Sequence, residues 1–325
     1  MKTREKLLQL LISKQDSWIS GEAIAEELGI TRAAVWKNIN LLRDSGYTID
    51  AVRNRGYRLL SETDILSELG IWKYLGPECR DLDIHIKHEV KSTNDLLREK
   101  AIAGSPEGTV LIAEMQTEGR GRSGRKFYSP ADTGIYMSLL LRPVEMDPSK
   151  VLKFTTAAAV AVCQAIETVS DTKPQIKWVN DVFLNGKKVC GILTEGSMSF
   201  ENGEMDHVIL GIGINVYRPE DGFPEEIRNT AGYLFENTAS DTKNKLAAAV
   251  LNNFMKFYRK GDFRSYINEY RKRLMVIGKD IFVVVRGENQ SCEVLDIDED
   301  CRLVVRFQDG KIEHLVAGEI NSSSI

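Results

Sequence analysis

Hydrophobic positions in the first sixty residues recur at helical spacing and then switch to alternation. Leu7, Leu8, Leu10 and Leu11 predict a helix over about 3–14. Ser20, followed by Gly-Glu-Ala, has the side chain of an N-cap for a second helix ending near Gly29. Thr31 caps a third, through Val35, Ile39 and Leu42 to Asp44. The joint Leu28-Gly29-Ile30-Thr31 is the short, glycine-containing turn of a helix-turn-helix. Two strand-like runs, 47–52 and 56–60, flank Arg53-Asn54-Arg55 and predict a β-wing. Such a unit is either a DNA-binding winged helix or a dimerisation module with a solvated charged face. The tight turn, the Thr31-Arg32 start and the arginine-tipped wing favour DNA.

Residues 61–75 read as a helix or an irregular connector. From 82 to 275, strand-like runs (84–86, 109–113, 135–141) alternate with helical ones, the clearest being Val151–Val169 with its alanine-rich middle. After Ile277 the pattern changes to short strands at 281–285, 291–297 and 301–307, separated by Gly-Glu-Asn, Asp-Glu-Asp and Gln-Asp-Gly turns. The expected fold is α+β and multidomain: a winged helix-turn-helix domain (1–64), a central mixed α/β domain (65–274) and a small SH3-like β-barrel (275–325).

Composition adds little except through its distribution. The net charge is −4. Residues 1–60 hold ten Lys/Arg against seven Asp/Glu, which leaves +3 there and −7 on the remainder. A basic end on an acidic body suits nucleic-acid contact at that end. The five cysteines, Cys79, Cys163, Cys190, Cys292 and Cys301, form no CxxC and have no zinc-ligand spacing with histidine. They read as reduced, mostly buried thiols, with neither disulfide nor metal site expected. Met1–Lys14 is charged throughout and lacks a signal-peptide core. No apolar run approaches the roughly 20 residues that span a bilayer. The expected location is the cytoplasm, without membrane contact.

The segment with most chemistry is Gly119-Arg120-Gly121-Arg122-Ser123-Gly124-Arg125-Lys126. It fits G-x-G-x-x-G formally, but Phe127-Tyr128-Ser129-Pro130 is no helix start, as a dinucleotide fingerprint requires. It also lacks the closing Gly-Lys-Ser/Thr of a P-loop. What remains is a glycine-rich loop with four cations, either an anion cradle or a basic surface loop. Lys177-Trp178-Val179-Asn180-Asp181 leads into a hairpin turning at Asn185-Gly186 and returning through Lys187-Lys188-Val189-Cys190-Gly191-Ile192-Leu193. Gly211-Ile212-Gly213-Ile214-Asn215-Val216 is an apolar strand with glycines and one amide. Ser92-Thr93-Asn94-Asp95 is an N-cap, a ligand site, or both.

Together these segments resemble the biotin protein ligase family. The resemblance rests on Ser-Thr-Asn, Gln116 before GRGRxGRK with Ser-Pro after it, KWxND with its KKVxGIL return, and GIGINV. They occur in the family's order across residues 88–216. With the winged helix in front and the small β-domain behind, the whole chain resembles the bacterial bifunctional biotin ligases and biotin operon repressors. One departure is Val179, where KWxND usually has proline.

The resemblance implies ATP-dependent activation of biotin to biotinyl-5′-AMP, with ATP and biotin as substrates and Mg²⁺ on the triphosphate. Transfer to a lysine of the biotin carboxyl carrier protein of acyl-CoA carboxylases follows. Lys188, Arg122 and Asp181 are the implied catalytic residues. Ser92, Thr93, Asn94, Gln116, Gly119, Arg120, Gly121, Arg122 and Lys188 are implied for biotin. Arg120, Arg122, Asn180, Lys188 and Asn215 are implied for the nucleotide. In the first unit, Thr31, Arg32, Trp36 and Lys37 on helix three and Arg53 and Arg55 on the wing are the DNA candidates, Trp36 being either exposed or core. The family pattern makes biotinyl-5′-AMP the corepressor and a homodimer the operator-binding form. The rival readings are a lipoate-type ligase, which shares fold and adenylation logic, and a biotin-sensing repressor without ligase activity. Ser-Thr-Asn with GRGRxGRK argues against the first, and Lys188 against the second.

Overall fold

A computed structural model describes residues 3–14, 17–44, 47–60, 64–144, 147–198, 204–260, 263–285 and 288–316. By contacts the chain divides into two units, one of residues 1–74 with 238–248 and one of 75–237 with 249–325.

The first unit contains α1 (Thr3–Ser13), α2 (Gly21–Leu28), α3 (Arg32–Asp44), β1 (Ile49–Val52), β2 (Gly56–Leu59) and α4 (Glu68–Trp72). Ser20 Oγ caps α2 by accepting from Ala23 N–H, and Gly29 ends it in the left-handed region that glycine enters at little cost. Thr31 Oγ1 caps α3 by accepting from Ala34 N–H. Leu7, Leu11, Ile24, Val35, Ile39, Leu42, Ile49 and Leu59 close one core beneath the helices and wing. Gly56 lies so close to Ile19 that a Cβ would fall 2.0 Å from its carbonyl oxygen, so the wing can start its return only with glycine. Residues 64–74 pack within this unit against 238–248, where Asn244 accepts from Ser67 N–H and donates to Ile65 O. Residues 61–63 of the expected connector lie outside the described residues.

The second unit is built on a seven-stranded sheet of β3 (Asp83–Val90), β4 (Thr109–Gln116), β5 (Gly134–Leu141), β6 (Gln175–Lys177), β7 (Asp181–Leu184), β8 (Lys187–Met198) and β9 (Met205–Asn215). Its order is β3-β4-β5-β9-β8-β7-β6, with β3 and β4 parallel and the other neighbours antiparallel. The β3–β4 crossover carries α5 (Thr93–Ile102), whose Leu97 and Ala101 pack on Leu111, Leu140 and Ile209. α6 (Leu152–Val169) packs against β8, Thr155 Oγ1 meeting Thr194 Oγ1 at 2.7 Å. Asn94 of α5 bonds to Glu195, the next residue of β8. Adjacent strand residues face opposite ways, so α5 and α6 cover opposite faces of the sheet. Against the expectation that no run is long enough to span a bilayer, α6 alone among the described residues is long and apolar enough by length and composition, although Lys153 and Glu167 interrupt it and 67% of it is buried inside the fold.

α7 (Thr242–Lys260) and α8 (Phe263–Arg273) lead to a four-stranded antiparallel sheet of β10 (Asp280–Val285), β11 (Glu288–Ile297), β12 (Leu303–Phe307) and β13 (Ile312–Leu315). Cys301, entering β12, sits against Thr156 of α6 and Tyr266 of α8. All five cysteines are free and buried. Burial pushes the Cys79 and Cys163 thiols up to about 12, which leaves them inert as nucleophiles near neutrality.

Candidate functional site

Glycines in register on neighbouring strands hollow the sheet beneath α5. Gly191 of β8 pairs with Gly213 of β9, which pairs with Tyr136 of β5. One row along, Leu193 pairs with Gly211, which pairs with Ser138. A Cβ on Gly213 would meet the Phe127 ring at 2.5 Å, and one on Gly211 would meet Asn94 Oδ1 at 2.2 Å. These missing side chains make a cleft of about 480 Å³, counting its open mouth. Phe127 lies across Gly191 and Gly213, edge-on to Tyr136.

One end of the cleft is neutral and polar. Ser92 caps α5 by accepting from Asp95 N–H, and it also lines the cleft. Gln116 Oε1 accepts from Thr93 N–H and Oγ1 at 2.8 and 3.1 Å, and Gln116 Nε2 donates to Ser129 Oγ. Ser138, wholly buried, stands 2.8 Å from Thr93 Oγ1 and 2.6 Å from Asn94 Oδ1, its one proton serving either. Each hydroxyl and amide is thus aimed by a neighbour, the arrangement a small polar ring needs for recognition.

The other end is cationic. Residues 119–127 close as a small hairpin, Phe127 N–H donating to Gly119 O and Gly121 N–H to Arg125 O. Arg122 donates from Nη1 to Asn180 Oδ1 at 3.0 Å. Asn180 in turn donates from Nδ2 to Ile192 O and accepts at its carbonyl from Ile192 N–H. Lys188 Nζ lies 2.7 Å from Asp181 Oδ1. The Trp178–Val179 peptide is cis. The turn is held from two elements: Trp178 Nε1 donates to Cys301 O, and the buried Tyr270 hydroxyl of α8 donates to Val179 O at 3.0 Å. Among the described residues no group of three His, Cys, Asp or Glu side chains is placed to hold a metal.

Between loop and helix lies a four-member ionic cluster. Asp95 Oδ1 accepts from Arg98 Nη1 at 2.7 Å and from Arg120 Nη1 at 2.5 Å. Glu195 Oε1 lies 2.8 Å from Arg98 Nη2 and 3.5 Å from Arg120 Nη1, while Glu195 Oε2 accepts from Asn94 Nδ2. Partial burial alone would raise the Asp95 carboxyl, but Arg120 and Arg98 outweigh it and hold the group below the usual carboxylate range.

Ser92, Thr93, Asn94, Gln116, Arg120, Gly121, Arg122, Asn180 and Lys188 therefore come together around one cleft. Gly119 stands behind it, in the loop base, where a Cβ would strike Phe127 O at 2.4 Å. Asp181 reaches it through Lys188. Asn215 is not on its wall, and its amide donates to Gly232 O instead. Sequence reasoning missed Phe127, Tyr136, Gly191, Gly211 and Gly213 on the wall, and the buried Ser138 behind Thr93 and Asn94. It also missed Arg98, Glu195 and Tyr270 behind it. The spaced glycines of GIGIN and KKVCGIL were a signal, but their pairing across strands was not visible.

In the first unit, Thr31, Arg32, Trp36 and Lys37 lie exposed along α3, with Trp36 62% exposed and so no part of the core. The Thr31 hydroxyl is engaged in capping. Arg53 and Arg55 stand exposed at the wing tip, on either side of Asn54 at φ +67°.

A cleft with a neutral recognition end, a basic glycine-rich loop and a lysine beside it, joined to a winged helix, defines an acyl-activating ligase with a DNA-binding module. The model of the biotin/lipoate A/B protein ligase family matches residues 87–215, and that of the HTH domain matches residues 3–58. The chain is 36% identical over 315 residues to the bifunctional ligase/repressor BirA of Bacillus spizizenii, covering 94% of this chain and 95% of that one. It is 41% identical over 228 residues to BirA of Bacillus subtilis, covering 70% and 69%. The biotin protein ligase of Aquifex aeolicus in complex with biotin and ATP superposes with a TM-score of 0.61 at 28% identity, over 74% of this chain and 97% of that one. The chain belongs to the biotin protein ligase family, in its bifunctional ligase/repressor branch.

Proposed function

We propose that the cleft makes biotinyl-5′-AMP from biotin and ATP, that the activated biotin passes to a lysine of the biotin carboxyl carrier protein of acyl-CoA carboxylases, and that the adenylate is the corepressor of a homodimer acting on operator DNA in the cytoplasm. The observation that carries the reading is one cleft joining the Ser92–Thr93–Gln116 end to the Arg122–Asn180 and Lys188–Asp181 pairs.

The ureido ring of biotin takes the neutral end, where the hydrogen-bonding groups are already oriented. The valeryl chain lies along the glycine rows toward Lys188. A biotin carboxylate oxygen attacks the α-phosphorus of ATP, and the bond to the bridging oxygen breaks as pyrophosphate leaves. Two anions meet in that step, and Lys188 and Arg122 offset their repulsion. Asp181 orients Lys188, and Asn180 orients Arg122. In the second step the carrier lysine, as a neutral amine, attacks the carbonyl carbon. An amide forms, AMP departs, and the amine proton is lost. The hairpin 119–127 shields the anhydride from water.

Mg²⁺ would supply charge neutralisation on the triphosphate. The Asp181 carboxylate is engaged by Lys188, and among the described residues no three such groups converge to cage a cation, so phosphate oxygens would supply the ion's ligands. In the first unit, α3 enters the major groove through Arg32, Trp36 and Lys37, with Arg53 and Arg55 on the flanking backbone or minor groove.

The test is exchange of labelled pyrophosphate into ATP, run with biotin, with lipoate and with neither. Exchange that needs biotin supports the reading. Exchange with lipoate instead identifies a lipoate-type ligase, and no exchange with either leaves a sensor without ligase activity.

A further inference from the structure

Arg120 belongs by sequence to the basic loop that faces the phosphate, yet its charge is already matched elsewhere. Its guanidinium points to the α5 end of the cleft, 2.5 Å from Asp95 and 3.5 Å from Glu195. Arg98, on the next turn of α5, bonds to the same two carboxylate oxygens at 2.7 and 2.8 Å. Two cations and two carboxylates form a closed, neutral set, which has no excess positive charge to offer a phosphate. Arg122, two residues on, differs: its side-chain partner among the described residues is the uncharged Asn180 amide. Two of the loop's arginines, Arg120 and Arg122, therefore do different work.

We propose that Asp95 and Glu195 form a latch for the glycine-rich loop, holding Arg120 as a positioning residue and leaving the phosphate to Arg122 and Lys188. The latch joins three elements: Asp95 on the first turn of α5, Glu195 on β8, and Arg120 at the loop's start. Glu195 also accepts from Asn94, whose Oδ1 faces Ser138. The position of the loop is thus tied to the hydrogen-bond chain at the neutral end of the cleft. The inference rests on the proposed adenylate chemistry only for what the loop retains. The latch itself is a property of the ligand-free protein.

The test pairs two readouts on full-length protein: wild type, Asp95→Asn with Glu195→Gln, and Glu195→Gln alone. In the absence of ligand, limited trypsin digestion followed by mass analysis reads cleavage after Arg120, Arg122, Arg125 and Lys126. With biotin and ATP, a chase reads the rate of biotinyl-AMP release. Partly exposed ion pairs each favour the closed arrangement a few-fold, so the double variant is expected to cleave and release about tenfold faster, and the single variant about threefold. If Arg120 gripped the phosphate, removing the competing carboxylates would free it for that purpose and slow the release. Slower or unchanged release overturns the latch. Should the double variant not fold, the single variant decides by the same signs. Wild-type protein without biotin-dependent pyrophosphate exchange would refute the proposed function, and the trypsin arm would then decide the latch alone, unchanged cleavage overturning it.

Discussion

Tyr270→Phe removes one oxygen atom from a residue with no access to solvent and no place on the cleft wall. That hydroxyl donates to Val179 O at 3.0 Å, and Val179 immediately precedes Asn180, the partner of Arg122. Without it a buried carbonyl loses its donor, which costs about 1–3 kcal/mol. For a unit of this size each kcal/mol corresponds to a fall of roughly 2–4 °C in Tm. The functional effect is separate. Asn180 stays tied to Ile192 on one side but loses its brace on the other, and a shift of Arg122 approaching 1 Å slows the chemical step by about 10- to 100-fold. Biotin affinity is unchanged, because the Ser92–Gln116 end has no part in this brace. The assays are thermal unfolding, biotin titration, and pyrophosphate exchange at a temperature well below either Tm. A variant that unfolds earlier but exchanges at the wild-type rate would refute the argument, since Tyr270 would then support the fold without positioning the turn.

Lys188→Ala should lower pyrophosphate exchange about 10²- to 10³-fold in folded protein. Lys187→Ala, whose amine is engaged by Asn229 O, should leave exchange intact, and the reverse outcome would move the role to Lys187. Arg122→Gly should release biotinyl-AMP into solution, where it acylates lysines of an added bystander protein, and retention equal to wild type would remove Arg122 from the phosphate. Arg53→Ala with Arg55→Ala should weaken operator binding evenly across sequences and reduce the salt slope by about 2, with ligation unaffected. Trp36→Ala should change sequence preference instead, as gel shifts on an operator panel would reveal.

Local pattern carried much of the architecture. The 3.6-residue spacing of Leu7 to Leu11 and of Val35, Ile39 and Leu42, the caps at Ser20 and Thr31, and the Gly29 stop are decided within a few residues of one another, so they were legible along the chain. So was the hairpin at Asn185-Gly186, where both residues take positive φ. The Ser-Thr-Asn, GRGRxGRK and KWxND segments were recognisable because their chemistry is concentrated in a few consecutive residues. What the sequence could not express is register and partnership across distance. That Gly191, Gly213 and Tyr136 share one row, and Gly211 and Ser138 the next, follows only when β5, β9 and β8 pair, and a one-residue slip would turn every one of them to the other face. Asp95 stands out along the chain only as the end of the Ser92–Asp95 segment, and Arg98 and Glu195 not at all, until folding sets the three around Arg120. Tyr270 and Cys301, some ninety and one hundred and twenty residues from the turn they brace, become neighbours of Trp178 and Val179 only in the packed unit. Short-range sterics and hydrogen bonding wrote the elements into the sequence, while the chemistry at the cleft depends on long-range packing, which brings side chains together with no regard for their separation along the chain.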